Sequence, residues 1–580
     1  MKLIEALEAL KQAPTPPSAV LQVRLVCGFT PLHLQAFLEA HLRHELPSHE
    51  IAMRTGLFGD LLGNLRRLEE DRCEAAAVVI EWEDLDPRLG IRRLGGWRPA
   101  LLPDIVQTAR RSIKALEGLL ERLGRKATVA LSLPTLPLPP IAFTSSSQSS
   151  EFENALDEMI TVFKVCASRF DGVRVVNARR LERISPLYSR HDVKSELSAG
   201  LPYTLAHADA LASLLARLIH NPVPKKGLIT DLDDTLWRGI LGEVNVEGIA
   251  WDLDHHAQRY GLYQQLLASL ADAGTLVAVA SKNDPALVEE AFRTAKPVLR
   301  RESIFPLEAN WGPKSESVAR VLRAWNIDAS SVVFVDDSAL DLAEVKAAHP
   351  GIECRLFPRE DDAAAYQLLG ELRDLFGKEC VSAEDRIRLQ SIRASQSAEQ
   401  NGELHGASQE QFLQEANGKL TVGFSDGGAN ARALELINKT NQFNLNGKRQ
   451  TGTSWREYLG DPSKILLVAA YEDRFGPLGK IAVVAGRVSG RQLKVDHWVM
   501  SCRAFSRRIE HACLLHLFRK LELERIHFDF VATARNGPLQ SFFKDCLGFA
   551  PTGAISIARE QFLQRCAPVY LRIEERDERH

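Results

Sequence analysis

The chain has 580 residues, 45% apolar and 25% charged, a formal net charge of -3 and 37 glycines. That is the composition of a soluble globular protein with room for three or four domains, and it excludes a disordered, collagen-like or strongly basic nucleic-acid-binding chain. Nine cysteines with no C-x-x-C pair predict neither a disulfide framework nor a zinc site.

The opening MKLIEALEALKQ reads as a helix and not as a signal peptide, and no apolar run is long enough to span a bilayer, so a cytoplasmic location without membrane contact is expected. From about residue 20 to 220, the strands VRLVCGF, AAAVVIEW, ATVALSLP and VRVVNA alternate with amphipathic helical stretches, the pattern of an open parallel α/β sheet. Pro134 to Ser150, with PTLPLPP and SSSQSS, reads as an exposed loop. The aperiodic segment Asn221 to Lys226 marks a first boundary, a second α/β block follows to about 380, and a polar stretch from Glu384 to Gly418 reads as a connector to a third block. The expected domains are therefore 1–221, 222–380 and 381–580.

The second block opens with GLITDLDDTLW. A buried strand that stops at Asp-x-Asp-x-Thr places Asp231 to attack phosphorus and Asp233, on the same side, to move the leaving-group proton. Thr235 lies beside them. The strand TLVAVA then leads to Ser281, Lys282 and Asn283, a hydroxyl, a cation and an amide for phosphate oxygens. After NWGP comes Lys314, a cation for charge on the transferring phosphoryl group. The strand SVVFVDD ends on Asp336 and Asp337. Polar groups at the carboxyl ends of four strands suit a magnesium phosphotransfer site at the edge of an open sheet.

DLDDTLWRGILGE, VASKND, NWGPKSE and FVDD resemble the four motifs of the haloacid dehalogenase superfamily in its FkbH-like branch. The resemblance implies a Rossmann-like domain with Asp231 as nucleophile and Asp233 as general acid/base. Thr235, Ser281, Lys282, Asn283 and Lys314 would hold phosphate. Magnesium would be held by Asp231, by the main-chain carbonyl of Asp233 and by Asp336, with Asp337 as a further carboxylate. Only WRGILGEVNVEGIAWD stands where a cap would be inserted, so no large cap is expected. The family pattern continues after the last acids with Asn, Pro and Glu, where this chain reads Ser338-Ala339-Leu340-Asp341.

In the third block, strands ILLVAAYED, KIAVVAGRVS and LKVDHWVMSCRAF run into the helix RRIEHACLLHLFRK, and IHFDFVAT precedes Asn536 and a last helix. This order resembles a GNAT-type acyltransferase of α+β architecture. Such folds carry R-x-x-G-x-G at the strand-to-helix turn, and here Arg503 to Arg508 lacks both glycines. A phosphopantetheine arm is therefore expected in place of free coenzyme A. INKTNQFN and MSCRAFSRRIE again resemble FkbH-like proteins. The family loads a glyceryl unit from 1,3-bisphosphoglycerate onto an acyl carrier protein, with loss of phosphate, in polyketide-type biosynthesis.

The chain is thus expected to be a bifunctional glyceryltransferase/phosphatase whose partners are a carrier protein and a small phosphorylated acyl donor. Cys502, set among Arg503, Arg507 and Arg508, is the candidate thiol nucleophile, with His497 a weaker candidate base because alternation puts it on the opposite face. Asn441, Gln442, Arg503, Arg507, Arg508 and Asn536 are candidates for holding the acyl group or carrier. Two other readings stay open: a plain small-molecule phosphatase with a degenerate C-terminal domain, and an acyltransferase or binding scaffold that only recognises phosphate. The first domain, with Cys27-Gly28-Phe29-Thr30 and a late His207, resembles an SGNH-like or flavodoxin-like α/β layout without the usual Gly-Asp-Ser. It is read as degenerate, with Thr30 and His207 as a conceivable hydrolytic pair.

Overall fold

The computed structural model describes residues 1–11, 19–47, 49–70, 73–145, 147–378, 381–382, 385–390, 392–393, 410, 413–414, 416–424, 431–474, 476–505, 507–533 and 535–576. They fall into two compact units, Met1–Pro222 with Gln450–Glu457, and Val223–Arg449 with Tyr458–His580. The expected seam at 380/381 does not separate units, because the second and third sequence blocks pack together.

The first unit is built on five strands, β1 (Ala19–Val26), β2 (His49–Thr55), β3 (Ala75–Val79), β4 (Thr128–Ser132) and β5 (Val173–Val175), all parallel, in the order β2-β1-β3-β4-β5. β3 is buried throughout; Ala76 and Val78 join one core while Ala75, Ala77 and Val79 join the other, as strand alternation between two helical layers requires. β2 escaped the sequence reading because it is an edge strand, HEIAMRT, with Ile51 alone buried. The Pro134 to Ser150 loop is not simply exposed: Thr135 and Ile141 are buried, and Ser150 caps the helix Glu151–Ala167 in a box with Glu153.

The second unit holds two sheets. The first comprises β6 (Gly227–Thr230), β7 (Leu276–Ser281), β8 (Ile304–Ala309), β9 (Val332–Asp336) and β10 (Glu353–Leu356), parallel, in the order β10-β9-β6-β7-β8. The second comprises β11 (Lys419–Phe424), β12 (Lys464–Asp473), β13 (Gly476–Ser489), β14 (Gln492–Met500), β15 (Arg525–Phe528), β16 (Ile555–Ala558) and β17 (Arg572–Glu575), in the order β16-β15-β14-β13-β12-β11-β17. Its pairs are antiparallel except β14·β15 and β11·β17.

β14 and β15 pair only as far as Val495 and Phe528. Beyond that point Phe443 to Leu445 lies between the two chains: Met500 N donates to Phe443 O (3.0 Å), Leu445 N to Trp498 O (3.0 Å) and Val531 N to Leu445 O (3.1 Å). A gap whose main-chain groups would otherwise be free to take an extended ligand is thereby filled by the chain itself. The Glu384 to Gly418 connector and Cys380 lie largely or wholly outside the described residues. Among those described, eight cysteines are free thiols, and no helix is long and apolar enough to cross a membrane.

Candidate functional site

Three carboxylates meet at the carboxyl edge of the first sheet of the second unit. Asp231 follows β6, Asp336 ends β9 and Asp337 comes next; one oxygen from each lies within 4.8 Å of the others. Their register is set by adjacent parallel strands, Thr230 pairing with Val335. Lys314 opens the helix Lys314–Trp325 and reaches both Asp231 Oδ2 (2.7 Å) and Asp336 Oδ2 (2.6 Å). The helix is seated by Trp325, whose ring lies on Gly227; a Cβ there would come within 2.3 Å of it.

Burial alone would lower the Lys314 ammonium, but Asp231 and Asp336 outweigh it and hold it well above its ordinary range. Burial, then the Asp231 charge, pushes both Asp336 and Asp337 up. Lys314 is one cation between two buried carboxylates, and the third, half-buried Asp337, has its ion partner in the rim residue Arg359 at 3.3 Å. Asp231 Oδ1 is moreover buried without a hydrogen-bond partner, which is costly unless a cation meets it. An all-oxygen donor set of this kind fits a magnesium ion.

Asp233 does not join that cluster through its side chain. Its Oδ1 accepts from Trp237 Nε1 (3.0 Å) and the Leu241 main-chain N–H (3.2 Å), and its Oδ2 from Asn283 Nδ2 (3.0 Å). The metal role expected for it is confined to its main-chain carbonyl. Burial pushes this carboxyl up, which favours a group that can donate a proton. Trp237 and Leu241 come from the short segment standing in for a cap, which folds back through paired hydrogen bonds between Arg238 and Ala250 (2.8 and 3.2 Å).

Among the other expected phosphate ligands, Ser281 is buried at the end of β7 and its Oγ accepts from Asn283 Nδ2 (3.1 Å). Thr235 is buried and donates to Asp337 Oδ1 (3.4 Å). Lys282 stands at the rim, paired with Asp341 (2.8 Å). Asp341, noted in the sequence only as part of a departure from the family pattern and given no role there, also lies 3.4 Å from Lys314 and is held at the start of its helix by Ser338, whose Oγ accepts from its N–H. The Ser-x-x-Asp spacing was the available signal. Arg359, 3.3 Å from Asp337 and 3.6 Å from Asp234, is a second omission.

The residues expected to grip an acyl group or a carrier are placed differently. Arg507 is buried, paired with Asp473 at 3.0 Å and stacked over Tyr471. Arg508 donates to Pro568 O (2.7 Å). Asn536 is 1% exposed and ties Asn444 O and Val531 O through its Nδ2 (3.0 and 2.9 Å). Arg507 and Asn536 are thus buried and matched internally, as buried polar groups must be, while Arg508 is only partly buried. The Arg503 side chain lies outside the described residues, as does Ser506. His497 is buried against Tyr458, and burial pushes it down to about 4. Cys502, Asn441 and Gln442 do come together, lining one cavity that His497 does not reach.

In the first unit Thr30 and His207 do not form a pair. Thr30 donates to Ala199 O (3.0 Å), while the buried His207 ring lies 2.9 Å from both Ser185 Oγ and Thr135 Oγ1. Thr135 in turn donates to buried Glu81.

No family model matches the sequence, and no curated protein matches it. Among solved structures, the chain is similar to the N-terminal part of the protein BF1531 from Bacteroides fragilis, which contains a phosphatase domain complexed with Mg. The match has 19% identity and a TM-score of 0.53, and covers 65% of this chain and 99% of that one. An uncharacterized protein from Corynebacterium glutamicum matches at 21% identity over 27% of this chain and 98% of its own, with a TM-score of 0.19, too low to carry an argument. At such identity the first match establishes fold alone: about two thirds of the chain shares the mixed α/β fold of that phosphatase-domain structure.

Proposed function

We propose that the protein is a magnesium-dependent phosphomonoester hydrolase of the haloacid dehalogenase type, coupled to acyl transfer. The observation that carries the first half is the buried, unpartnered Asp231 Oδ1 beside Asp336 and Asp337, with Lys314 across Asp231 and Asp336. The Mg complex of the BF1531 phosphatase-domain structure supports it.

Asp231 attacks phosphorus, the bond from phosphorus to the ester oxygen breaks, and Asp233 gives its proton to the departing alcohol. Asp233, now a base, takes a proton from water as the water attacks the aspartyl phosphate, releasing inorganic phosphate and restoring Asp231. Asn283, bonded to both Asp233 and Ser281, keeps the acid aimed at the leaving group. Magnesium, held by Asp231, Asp336 and Asp337, would supply charge compensation for the phosphate oxygens. Lys314 and Lys282 oppose the remaining negative charge.

The second half of the reading is transfer of a glyceryl unit from 1,3-bisphosphoglycerate to the phosphopantetheine thiol of an acyl carrier protein, in a GNAT-like C-terminal domain. Its support is the Cys502 thiol in a cavity beside Asn441 and Gln442. The inward roles of Arg507 and Asn536 favour a second reading, a plain phosphatase whose C-terminal sheet is structural. Intact-mass spectrometry with magnesium, 1,3-bisphosphoglycerate and phosphopantetheinylated carriers separates the two. A glyceryl adduct on the carrier that retains its phosphate in Asp231→Asn and vanishes in Cys502→Ala supports coupled transfer; phosphate release with no adduct on any carrier supports the plain phosphatase.

A further inference from the structure

The Cys502 cavity, of about 100 Å³, lies on the far side of the sheet from the aspartates. Its walls include Lys226, which immediately precedes β6, Leu276, which opens β7, and Ser331, which immediately precedes β9. These are the amino ends of the strands whose carboxyl ends carry Asp231, Ser281 and Asp336. The opposite wall is the helix Ala431–Lys439 with Asn441, Gln442 and Cys502.

Lys226 is held rigidly. Its N–H donates to Ser331 O (2.7 Å), its carbonyl accepts from Leu276 N (3.0 Å), and its Nζ donates to Lys439 O (3.2 Å) at the helix C-terminus. The Cys502 turn is fixed to the same wall by Asn326, whose Nδ2 donates to Cys502 O (3.3 Å). Of the carboxylates nearby, Glu435 pairs with Arg432 (2.6 Å) and Lys439 (2.9 Å), and Asp385 with Lys378 (3.1 Å) and Arg388, while Asp328 accepts from Ser330 and feels the charges of Arg535 and Lys226. Among the described residues none pairs with Lys226, or with Arg449, whose guanidinium goes to the Ile437 and Thr440 carbonyls and to Asn441. Burial, together with Arg388, Lys439 and Arg449, pushes the Lys226 ammonium down, against the pull of Cys502 and Asp328. Among the described residues the cavity thus gathers Lys226, Arg388, Arg432 and Lys439 against two carboxylates, Asp328 and Glu435, around the Cys502 thiol.

We infer that Lys226 is the reaction partner of Cys502, taking the thiol proton and anchoring the phosphate of a small acyl phosphate in this cavity. The inference rests on the acyl-transfer half of the proposed function and adds a residue from the phosphatase sheet to it. Neutral Lys226 accepts the proton of Cys502; the thiolate attacks the acyl carbon; the bond from that carbon to the bridging oxygen breaks. The Lys226 ammonium passes its proton to the departing phosphate, so that acyl phosphate and thiol become thioester and inorganic phosphate with charge conserved. A volume of about 100 Å³ has room for a short acyl phosphate.

The test is the rate of iodoacetamide alkylation at Cys502, read by peptide mass spectrometry against pH, in the full chain and in Lys226→Met and Lys226→Arg, with melting curves to confirm folding. At neutral pH the Met variant should react slower by about tenfold or more and need higher pH, while the Arg variant restores the rate by supplying charge. Inorganic phosphate should protect Cys502 in wild type and not in Lys226→Met. Acetyl phosphate should acetylate Cys502 in wild type, but not in Lys226→Arg, which supplies charge without accepting a proton. Equal alkylation and equal phosphate protection in wild type and Lys226→Met would overturn the inference. If instead Cys502→Ala still loads a carrier while alkylation and protection depend on Lys226, the acyl-acceptor reading fails and the anion-anchoring cavity stands.

Discussion

Replacing Asp231 by Asn should abolish turnover while leaving the protein about as stable as before. With an effective dielectric of about 20, the Lys314 pair at 2.7 Å is worth about 6 kcal/mol of Coulomb attraction, and each repulsion from Asp336 and Asp337 within 4.8 Å at least about 3.5 kcal/mol. The two repulsions together offset the attraction, and the Asn carbonyl still accepts from Lys314 Nζ. In the metal-free state the variant should therefore melt within a few degrees of wild type. What it loses is the response to magnesium. Free Mg²⁺ at about 100 times its dissociation constant adds roughly 2.7 kcal/mol to the wild type, on the order of 5–10 °C for a domain of this size. The variant should show little of that shift, and hydrolysis of a phosphomonoester should fall by about 10⁴-fold or more, as expected for loss of a nucleophile. Calorimetry with and without Mg²⁺, beside a phosphate-release assay, reads all three quantities. A variant that keeps the full magnesium shift, or turns over within about tenfold of wild type, would refute the assignment of Asp231 as both nucleophile and ligand.

Asn283→Ala frees Asp233 Oδ2 from its 3.0 Å bond; kcat should fall by about 10–100-fold with little change in KM, because an acid is misdirected rather than a ligand removed. Equal losses in both constants would argue that Asn283 binds substrate directly. Arg507→Ala removes the 3.0 Å ion pair to Asp473, which is 1% exposed at its side chain, and should destabilise the fold by about 3–5 kcal/mol in chemical denaturation; a silent substitution would return Arg507 to the docking residues. His207 is buried as the neutral ring, pushed down to about 3 from 6.5 by burial and then by Arg190. A depressed value means its stabilisation is complete above pH 6.5 and is lost as pH falls toward about 3, several kcal/mol in all. His207→Gln should remove part of that acid sensitivity in melting temperature against pH, and an unchanged acid limb would count against the buried neutral ring.

The phosphate site was legible because its parts sit where strands end. A buried run followed by Asp, Ser or a pair of Asp is a local pattern, and parallel pairing brings those ends together without further information. What a carboxylate does once there depends on residues from other elements. Asp233 points to Trp237, Leu241 and Asn283 and not toward the ion site, and Asp341 takes up the lysines where the expected Asn-Pro pattern was missing. The arginines after Cys502 show the opposite failure. Charge clustered in sequence reads as a binding patch, yet Arg507 turns inward to Asp473, 34 residues earlier in the chain. Lys226 was read as boundary, since a polar run ahead of a strand carries no sign that the distant helix Ala431–Lys439 will close over it.

The separation of the two candidate sites constrains how they can cooperate. Lys226 and Asp231 bracket a single four-residue strand, and five steps along an extended chain at about 3.3 Å each put them about 16 Å apart on opposite edges of one sheet. Cys502 packs at the amino edge and the carboxylates at the carboxyl edge, with the buried strands between. An acyl group on Cys502 is therefore out of reach of Asp231 for as long as it stays there. On the proposed reading a phosphate ester carried by that acyl group must be removed either before the donor enters the cavity or after the acyl group has moved to a longer tether. The two orders leave different traces in Asp231→Asn. If removal comes first, the variant never loads Cys502 with any acyl group. If it comes last, Cys502 and then the carrier accumulate the phosphorylated acyl thioester. The four cations that line the Cys502 cavity, Lys226, Arg388, Arg432 and Lys439, against the two carboxylates Asp328 and Glu435, favour entry of the phosphorylated donor, and hence the second order. A variant that loads only unphosphorylated glyceryl would mean that phosphate is lost elsewhere, and the coupling of the two edges would have to be abandoned.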